Sequence, residues 1–466
     1  MSLLWEVSSI CLEHCQQFVI WANVLKHFIC TIAEPLHRNH LQCVYDLLIE
    51  MLQLLCSEGY CYYLDFVNIA YFPAGNRLNV YPPIKNSSVE ELSPEDSYIM
   101  TGLSSIQLAR LCAHLRLPEF FCYERRHRFT GEECLLHYLV FNRRGESKLL
   151  LSRNYFGGDP RRFTYSIRMM TNHLYDNFYH KISGDSMRMW IPHIDSFRFA
   201  IWQKIKEGFT VEETYDTQTY ETVTSRLISL DIPYDAFRIF GFLDDTGFRT
   251  TTPGGESRRI NGFFDDVQRS FYSGYFAGHG LKVQALTLPN GMIGSCYVGS
   301  WRQSDAGMLN MSGLDTYLSS ILREFEMEMP GAMGQFPAVY GDGIFPQLST
   351  IVARYSLGNE LEGRVNRRLA SARQSIEHLF AIHTNIFGLF SIPQRFKLLV
   401  HGVECTKMVM NSFFLLNCYT CFNESPNNFD IRPPLIEEYL PLDEALKKAP
   451  IVPDNALGEV YQYYHH

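Results

Sequence analysis

Hydrophobic positions along this chain change period several times, and each change marks a different kind of element. Within residues 1–70 apolar side chains recur at helical spacing, as in Val44, Leu48, Met51, Leu52 and Leu55, which predicts buried helices. Residues 72–98 are punctuated by Pro73, Gly75, Pro82, Pro83 and Pro94 and read as a linker. The helical period returns from Ser104 to Leu115. Thr130 followed by Glu133 makes a capping box that opens a further helix through Leu135, Leu136 and Leu139. Another covers about 147–156 and stops at Gly157-Gly158. Asp159 as N-cap and Pro160 in the first turn then start the next one. The inner stripe of that helix is Phe163, Ile167, Met170, Leu174 and Phe178; its outward side presents Arg161, Arg162, Tyr165 and Arg168. Helices, a glycine turn and a helix with arginines near its start make the helix-turn-helix layout, in which the second helix of the motif enters the major groove. Periodicity alone fits an ordinary helical bundle with a basic polar face equally well.

From about residue 235 the period becomes that of strands. Phe237 to Leu243 is one, and Leu281–Leu288 and Met292–Val298 are two more, joined by Pro289-Asn290-Gly291, a hairpin signal. A helix around 312–326, the short strand Ala338-Val339-Tyr340 and a long helix over about 366–385 follow. That order predicts an α/β ribonuclease H-like domain, a mixed sheet flanked by helices, preceded by an all-α helix-turn-helix-like region. The expected division is 1–95, a helical extension of unknown role; 100–225, the helical region; 230–430, the sheet-containing domain; and 431–466, a C-terminal tail.

Carboxylates fall at telling places in this pattern. Asp244 and Asp245 come directly after the first strand, and Asp342 directly after the later one, in Tyr340-Gly341-Asp342-Gly343. Ligands of α/β sheets bind at the carboxyl ends of strands, so neighbouring strands would bring these acids to one point. In the last long helix Asn366, Ala370, Arg373 and Glu377 share one face, beside the apolar stripe Leu369, Ile376 and Phe380. A helix docked by that stripe aims Glu377 at the aspartates, and Arg373, one turn earlier, can hold the glutamate or a phosphate. Three close carboxylates repel one another, and two magnesium or manganese ions would relieve the repulsion, one activating an attacking oxygen and the other stabilising a leaving oxygen. The ordinary reading of an aspartate before a glycine is a turn, and spacing alone does not decide between the two.

Composition adds a few limits. With 46% hydrophobic and 20% charged residues a packed core is expected. The formal net charge of −9 does not suggest a DNA-binding protein, yet residues 101–200 hold fifteen Lys/Arg against nine Asp/Glu. A basic module can bind phosphate inside an acidic chain, because the attraction is short-ranged at physiological salt. Thirteen cysteines follow no disulfide framework and suggest a reducing compartment. Cys418 and Cys421 form one CxxC without a second pair to complete a zinc site. Charges such as Glu13, Lys26, Glu34, Arg38 and Asp46 interrupt the apolar N-terminal stretch before it reaches the ~20 residues of a membrane span. Arg125-Arg126-His127-Arg128 is too short for a firm nuclear-import signal.

Five stretches resemble a known family. They are GFLDDTGFR (241–249), RSFYSGYFAGHGLKVQALTLPNGMI (269–293), WRQSDAGML (301–309), YGDGIFP (340–346) and NRRLASARQSIEHLFAI (366–382). Together they resemble the DDE transposases of the PIF/Harbinger superfamily and the nuclease-like proteins derived from them. The resemblance implies a metal-dependent DNA nuclease or transposase with Asp244, Asp342 and Glu377 as the catalytic and metal-binding carboxylates. Asn366 and Arg373 stand in matching register as supporting residues. Asp245 stands where the family has a glycine, so either neighbouring aspartate is a candidate for the metal. The resemblance further implies DNA contact by the helical region through Arg161, Arg162, Tyr165 and Arg168, a nuclear location, a Myb-like partner protein and a homo-oligomer.

Three functions compete on this basis. The first is a transposase or endonuclease acting at transposon ends. The second is a domesticated, catalytically silent DNA-binding or chromatin protein, to which Asp245, the acidic net charge and the N-terminal extension point. The third is a magnesium-dependent RNA-cleaving enzyme of the same fold, against which the five stretches speak.

Overall fold

The computed structural model describes residues 92–123, 127–156, 158–207, 210–215, 222–228, 233–252, 269, 271–328, 336–353, 360–393, 396, 403–423 and 429–444. The helices expected at 1–70, most of the expected linker, Gly157, and Arg125 and Arg126 of the basic cluster lie outside the described residues.

The helical region begins earlier than the linker reading allowed. Helix α1 (Pro94–Thr101) is capped by Ser93, whose side chain accepts from the Asp96 backbone N–H, with Pro94 in the first turn. Proline there is a helix start and not a break. Helix α2 (Ser105–His114) carries a reciprocal capping box between Ser104 and Gln107. Thr130 caps α3 (Gly131–Arg144) by accepting from Glu133 N–H. Helices α4 (Lys148–Asn154) and α5 (Pro160–Phe178) follow, α5 capped by Asp159, and the whole expected stripe from Phe163 to Phe178 is buried.

Two antiparallel hairpins correct the all-α expectation for this region. Strands β1 (Phe120–Tyr123) and β2 (His127–Thr130) pair before α3. After α6 (Ile194–Glu207), β3 (Thr210–Tyr215) pairs with β4 (Thr222–Ile228). Aromatic and β-branched residues fill these short runs, which suits strands but is too brief to show a period beside the longer helical stripes.

The mixed sheet contains β5 (Ile239–Arg249), β6 (Tyr272–Ser273), β7 (Gly278–Thr287), β8 (Ile293–Ser300), β9 (Ala338–Gly341) and β10 (Ile351–Val352). β5 lies between β9, which is parallel to it, and β7, which is antiparallel; β8 and β6 both pair with β7, and β10 pairs parallel with β9. The expected hairpin joins β7 and β8: Leu288 N–H donates to Met292 C=O, and Gly291 takes φ +81, a left-handed position that suits glycine. Helices α7 (Asp305–Ser312), α8 (Leu314–Glu328), α9 (Glu360–Ile386), α10 (Val403–Phe422) and α11 (Ile436–Tyr439) complete the unit. A mixed sheet flanked by helices is compatible with the ribonuclease H-like fold. Among the described residues no helix is long and apolar enough to cross a membrane.

One hydrophobic cluster runs from Met100 on α1, through Leu243 and Val283 in the sheet, to Phe413 on α10 and Tyr439 on α11. A second joins Ile201 on α6, Phe242 on β5, and Leu369 and Ile376 on α9. Among the buried histidines, His137 Nδ1 lies 2.7 Å from Ser166 Oγ, and His383 Nε2 lies 2.7 Å from Ser412 Oγ, its ring stacked on Phe413. Burial pushes both down to about 3. Below about pH 6.5 the unfolded chain therefore takes up protons that the fold refuses, so stability falls as pH drops from about 6.5 toward 3. Each histidine contributes at most about 1.4 kcal/mol per pH unit. The urea midpoint of the protein is expected to fall between pH 7 and 5, and more shallowly in His383→Gln; equal slopes would show that His383 is not kept neutral.

Candidate active site

The site grows from alternation along β5. Leu243 pairs in register with Gly341 on the parallel strand β9, so Asp244 and Asp342 follow at the same level on adjacent strands. On the other side Asp244 faces Ala285 of β7, a small neighbour. The sequence reading ended the first strand at Leu243. Instead β5 continues to Arg249, because β7 goes on hydrogen-bonding after β9 has stopped, and Asp244 and Asp245 sit inside the strand.

Alternate β5 residues meet α9. Phe242 clusters with Leu369 and Ile376, Asp244 meets Arg373, and the Phe248 ring lies 5.3 Å from His383. Four strand residues span about 13 Å and ten helical residues about 15 Å, so α9 keeps pace alongside β5. Arg373 then bridges strand and helix. Its Nη1 donates to Asp244 Oδ2, and its Nη2 donates to Glu377 Oε1 at 2.9 Å. Asp244 Oδ1 accepts from the Asp245 backbone N–H at 2.9 Å. Asp342, half-buried, accepts at Oδ1 from the Gly343 N–H.

Burial pushes the Asp244 carboxyl up to about 6, while Arg373 and the Asp245 N–H pull it down and the charges of Glu377 and Asp342 raise it. The three carboxylates thus share one electrostatic neighbourhood, with Glu377 the most open of them at 52% side-chain exposure. Asn366, two turns before Arg373 on α9, is buried. Among the described residues no three His, Cys, Asp or Glu side chains already stand as a metal-binding group. Cys418 and Cys421 are both buried free thiols on α10.

Asp245 points to the opposite face of the strand. There it lies 3.4 Å from Lys282 Nζ, which also donates to Asp305 at the start of α7 and to the Gln303 carbonyl at 3.2 Å. Its carboxylate is nearly sealed, at 3% exposure, and burial pushes it up to about 8 against the pull of Lys282. The Lys282 cluster was missed in the sequence, although a lone lysine in the apolar run Leu281–Leu288 is a signal: a cation inside a strand of a buried sheet needs an anion.

The four residues expected to touch DNA lie along α5. Arg161 and Arg168 are exposed, and Tyr165 is half-buried against the core. Arg162 is tied down, reaching Glu133 at 3.3 Å and the Arg128 carbonyl at 3.2 Å, with its guanidinium over the Phe129 ring.

Comparison with protein families matches residues 257–417 to the DDE superfamily endonuclease domain. The matched stretch contains Asp342 and Glu377 and begins after Asp244. No curated protein and no solved structure gave a match. The match supports a place in the DDE nuclease and transposase superfamily, whose enzymes generally use divalent metal ions and act on DNA.

Proposed function

We propose that this protein is a DDE transposase or endonuclease of the PIF/Harbinger type that cuts or joins DNA phosphodiesters at transposon ends. The observation that carries the reading is the juxtaposition of Asp244 and Asp342 on neighbouring parallel strands, with Glu377 brought to Asp244 through Arg373. The donor set fits hard divalent cations: three carboxylates, one of them the half-buried Asp244, whose raised affinity for a proton marks a site in want of positive charge. Asp244, Asp342 and Glu377 would hold two magnesium or manganese ions, and Asp245, turned to the other face, would stay with Lys282. When bound, such ions activate the attacking oxygen and stabilise the leaving one. The chain's own part is to fix the carboxylates on a rigid strand pair and to keep their flank dry with Phe242, Leu369 and Ile376.

Helix α5 would contact the phosphate backbone through Arg161 and Arg168, with Arg162 and Tyr165 nearer the protein surface. Double substitution Arg161→Ala/Arg168→Ala should weaken binding to all duplexes alike and lower the salt slope by about 2, measured by fluorescence anisotropy from 50 to 200 mM salt. An unchanged slope would remove these arginines from the interface. Residence in the nucleus, a Myb-like partner and self-association belong to the same proposal.

The second reading, a domesticated and catalytically silent DNA-binding protein, draws on the Arg373 bridge, which already neutralises part of the carboxylate set. Incubation of the full chain with duplex DNA taken from the sequence that flanks its gene separates the two. The transposase reading expects nicking with Mg²⁺ or Mn²⁺ that a chelator abolishes. DNA binding without cleavage in either metal would favour domestication.

A further inference from the structure

Both oxygens of Asp244 are engaged, and by different partners. Oδ1 takes the Asp245 backbone N–H, which is fixed by the strand, whereas Oδ2 takes Nη1 of Arg373, a side chain that can leave. The other arm of the same guanidinium holds Glu377 Oε1. One planar cation therefore spans the strand carboxylate and the helix carboxylate, and uses oxygens that a divalent ion would need. The contacts around Arg373 are unequal in permanence. Its flexible side chain rises from α9 and is 19% exposed, and Glu377 is half open to solvent, so the guanidinium can turn outward without unpacking the apolar stripe beneath it. An arginine fork suits a phosphate as well as a carboxylate.

Resting on the DDE reading of this site, we propose that Arg373 is an exchangeable counter-ion: it competes with divalent metal for Asp244 and Glu377 until a DNA phosphate draws it away. Metal and DNA then load the site together. A guanidinium left between the carboxylates repels an incoming divalent cation, and a phosphate that engages the guanidinium removes that repulsion. Linkage makes the effect reciprocal, so metal tightens DNA by the same factor as DNA tightens metal. Arg373 acts on the metal through the two carboxylates and is in this respect a positioning residue.

The test is Mn²⁺ binding by the full chain, with free Mn²⁺ counted by electron paramagnetic resonance, with and without a 30-base-pair duplex of unrelated sequence. In the wild type the duplex should tighten Mn²⁺ about tenfold, a coupling of ordinary size. Arg373→Gln should bind Mn²⁺ about tenfold tighter than wild type without DNA, and the duplex should then change it less than twofold. Arg373→Lys keeps the charge and should keep the dependence on DNA. The proposal is overturned if Arg373→Gln, folded by circular dichroism, binds Mn²⁺ as weakly as wild type or more weakly, or if the duplex tightens both equally. Absence of Mn²⁺ binding in every protein and condition, with Asp342→Asn indistinguishable from wild type, would instead sink the DDE reading on which the proposal rests.

Discussion

Asp244→Asn is expected to abolish divalent-metal binding and to lower DNA cleavage by more than about 100-fold, since even outer partners of metal ligands typically cost about 10–100-fold when lost. Asp244 takes part in most of the contacts that gather the site: it meets Arg373, receives the Asp245 N–H and feels the charges of Glu377 and Asp342. Asparagine keeps its size and removes the charge, so a fold defect should not obscure the result. Asp342→Asn should behave alike. Asp245→Asn should leave metal binding within about twofold of wild type, because that side chain faces Lys282 on the other side of the strand. Calorimetric titration with Mg²⁺ and a nicking assay decide the matter. If Asp245→Asn lost the metal and Asp244→Asn kept it, the assignment of the first carboxylate would be reversed.

The second large effect is on stability. Lys282→Met should destabilise the protein by about 3–5 kcal/mol, the usual consequence of removing one partner from a buried charge pair. Methionine fills a similar volume, so the loss isolates the cation on which Asp305 depends. Asp245→Asn should cost no more than about 1 kcal/mol, since burial already favours the protonated acid at neutral pH and asparagine replaces one neutral group by another. Urea unfolding of the two single variants and the double variant gives the coupling directly. Similar costs for the two single changes would mean that Asp245 is charged in the fold.

Local signals made much of this legible. The level placing of Asp244 and Asp342 on adjacent strands, and of Glu377 on a helix beside them, could be read because each sits at a fixed phase of a strong element: two β strands and a helix with the stripe Leu369, Ile376 and Phe380. The contact of Arg373 with Glu377 followed from one-turn spacing, but its second contact, with Asp244, is tertiary and carries no sequence period. The extension of β5 through Asp244-Asp245-Thr246-Gly247 was hidden because those residue types favour turns, and only the partner strand β7 overrides that preference. The β1–β2 hairpin escaped for a similar reason, four residues a side being too short to show alternation. A tertiary contact explains Arg162: it shares the outward helical face with Arg161, yet Glu133 across the packing claims it.

The stretch that closes the described chain bears on how the protein is made. Ile436, Tyr439 and Leu440 are buried in the same core as the first helices, and the neighbouring residues are fastened there by Arg110 to Glu437, Arg116 to the Pro441 carbonyl and Lys181 to Glu444. Tyr439 also accepts from Asn417, which holds the β8 edge at Ile293. Helices α1 and α2 thus wait for a segment translated long after them, and their packing cannot close until that segment has left the ribosome. A stop codon or frameshift upstream of Ile436 would therefore remove this segment and spoil the packing of the core, even with every codon for Asp244, Asp342 and Glu377 intact.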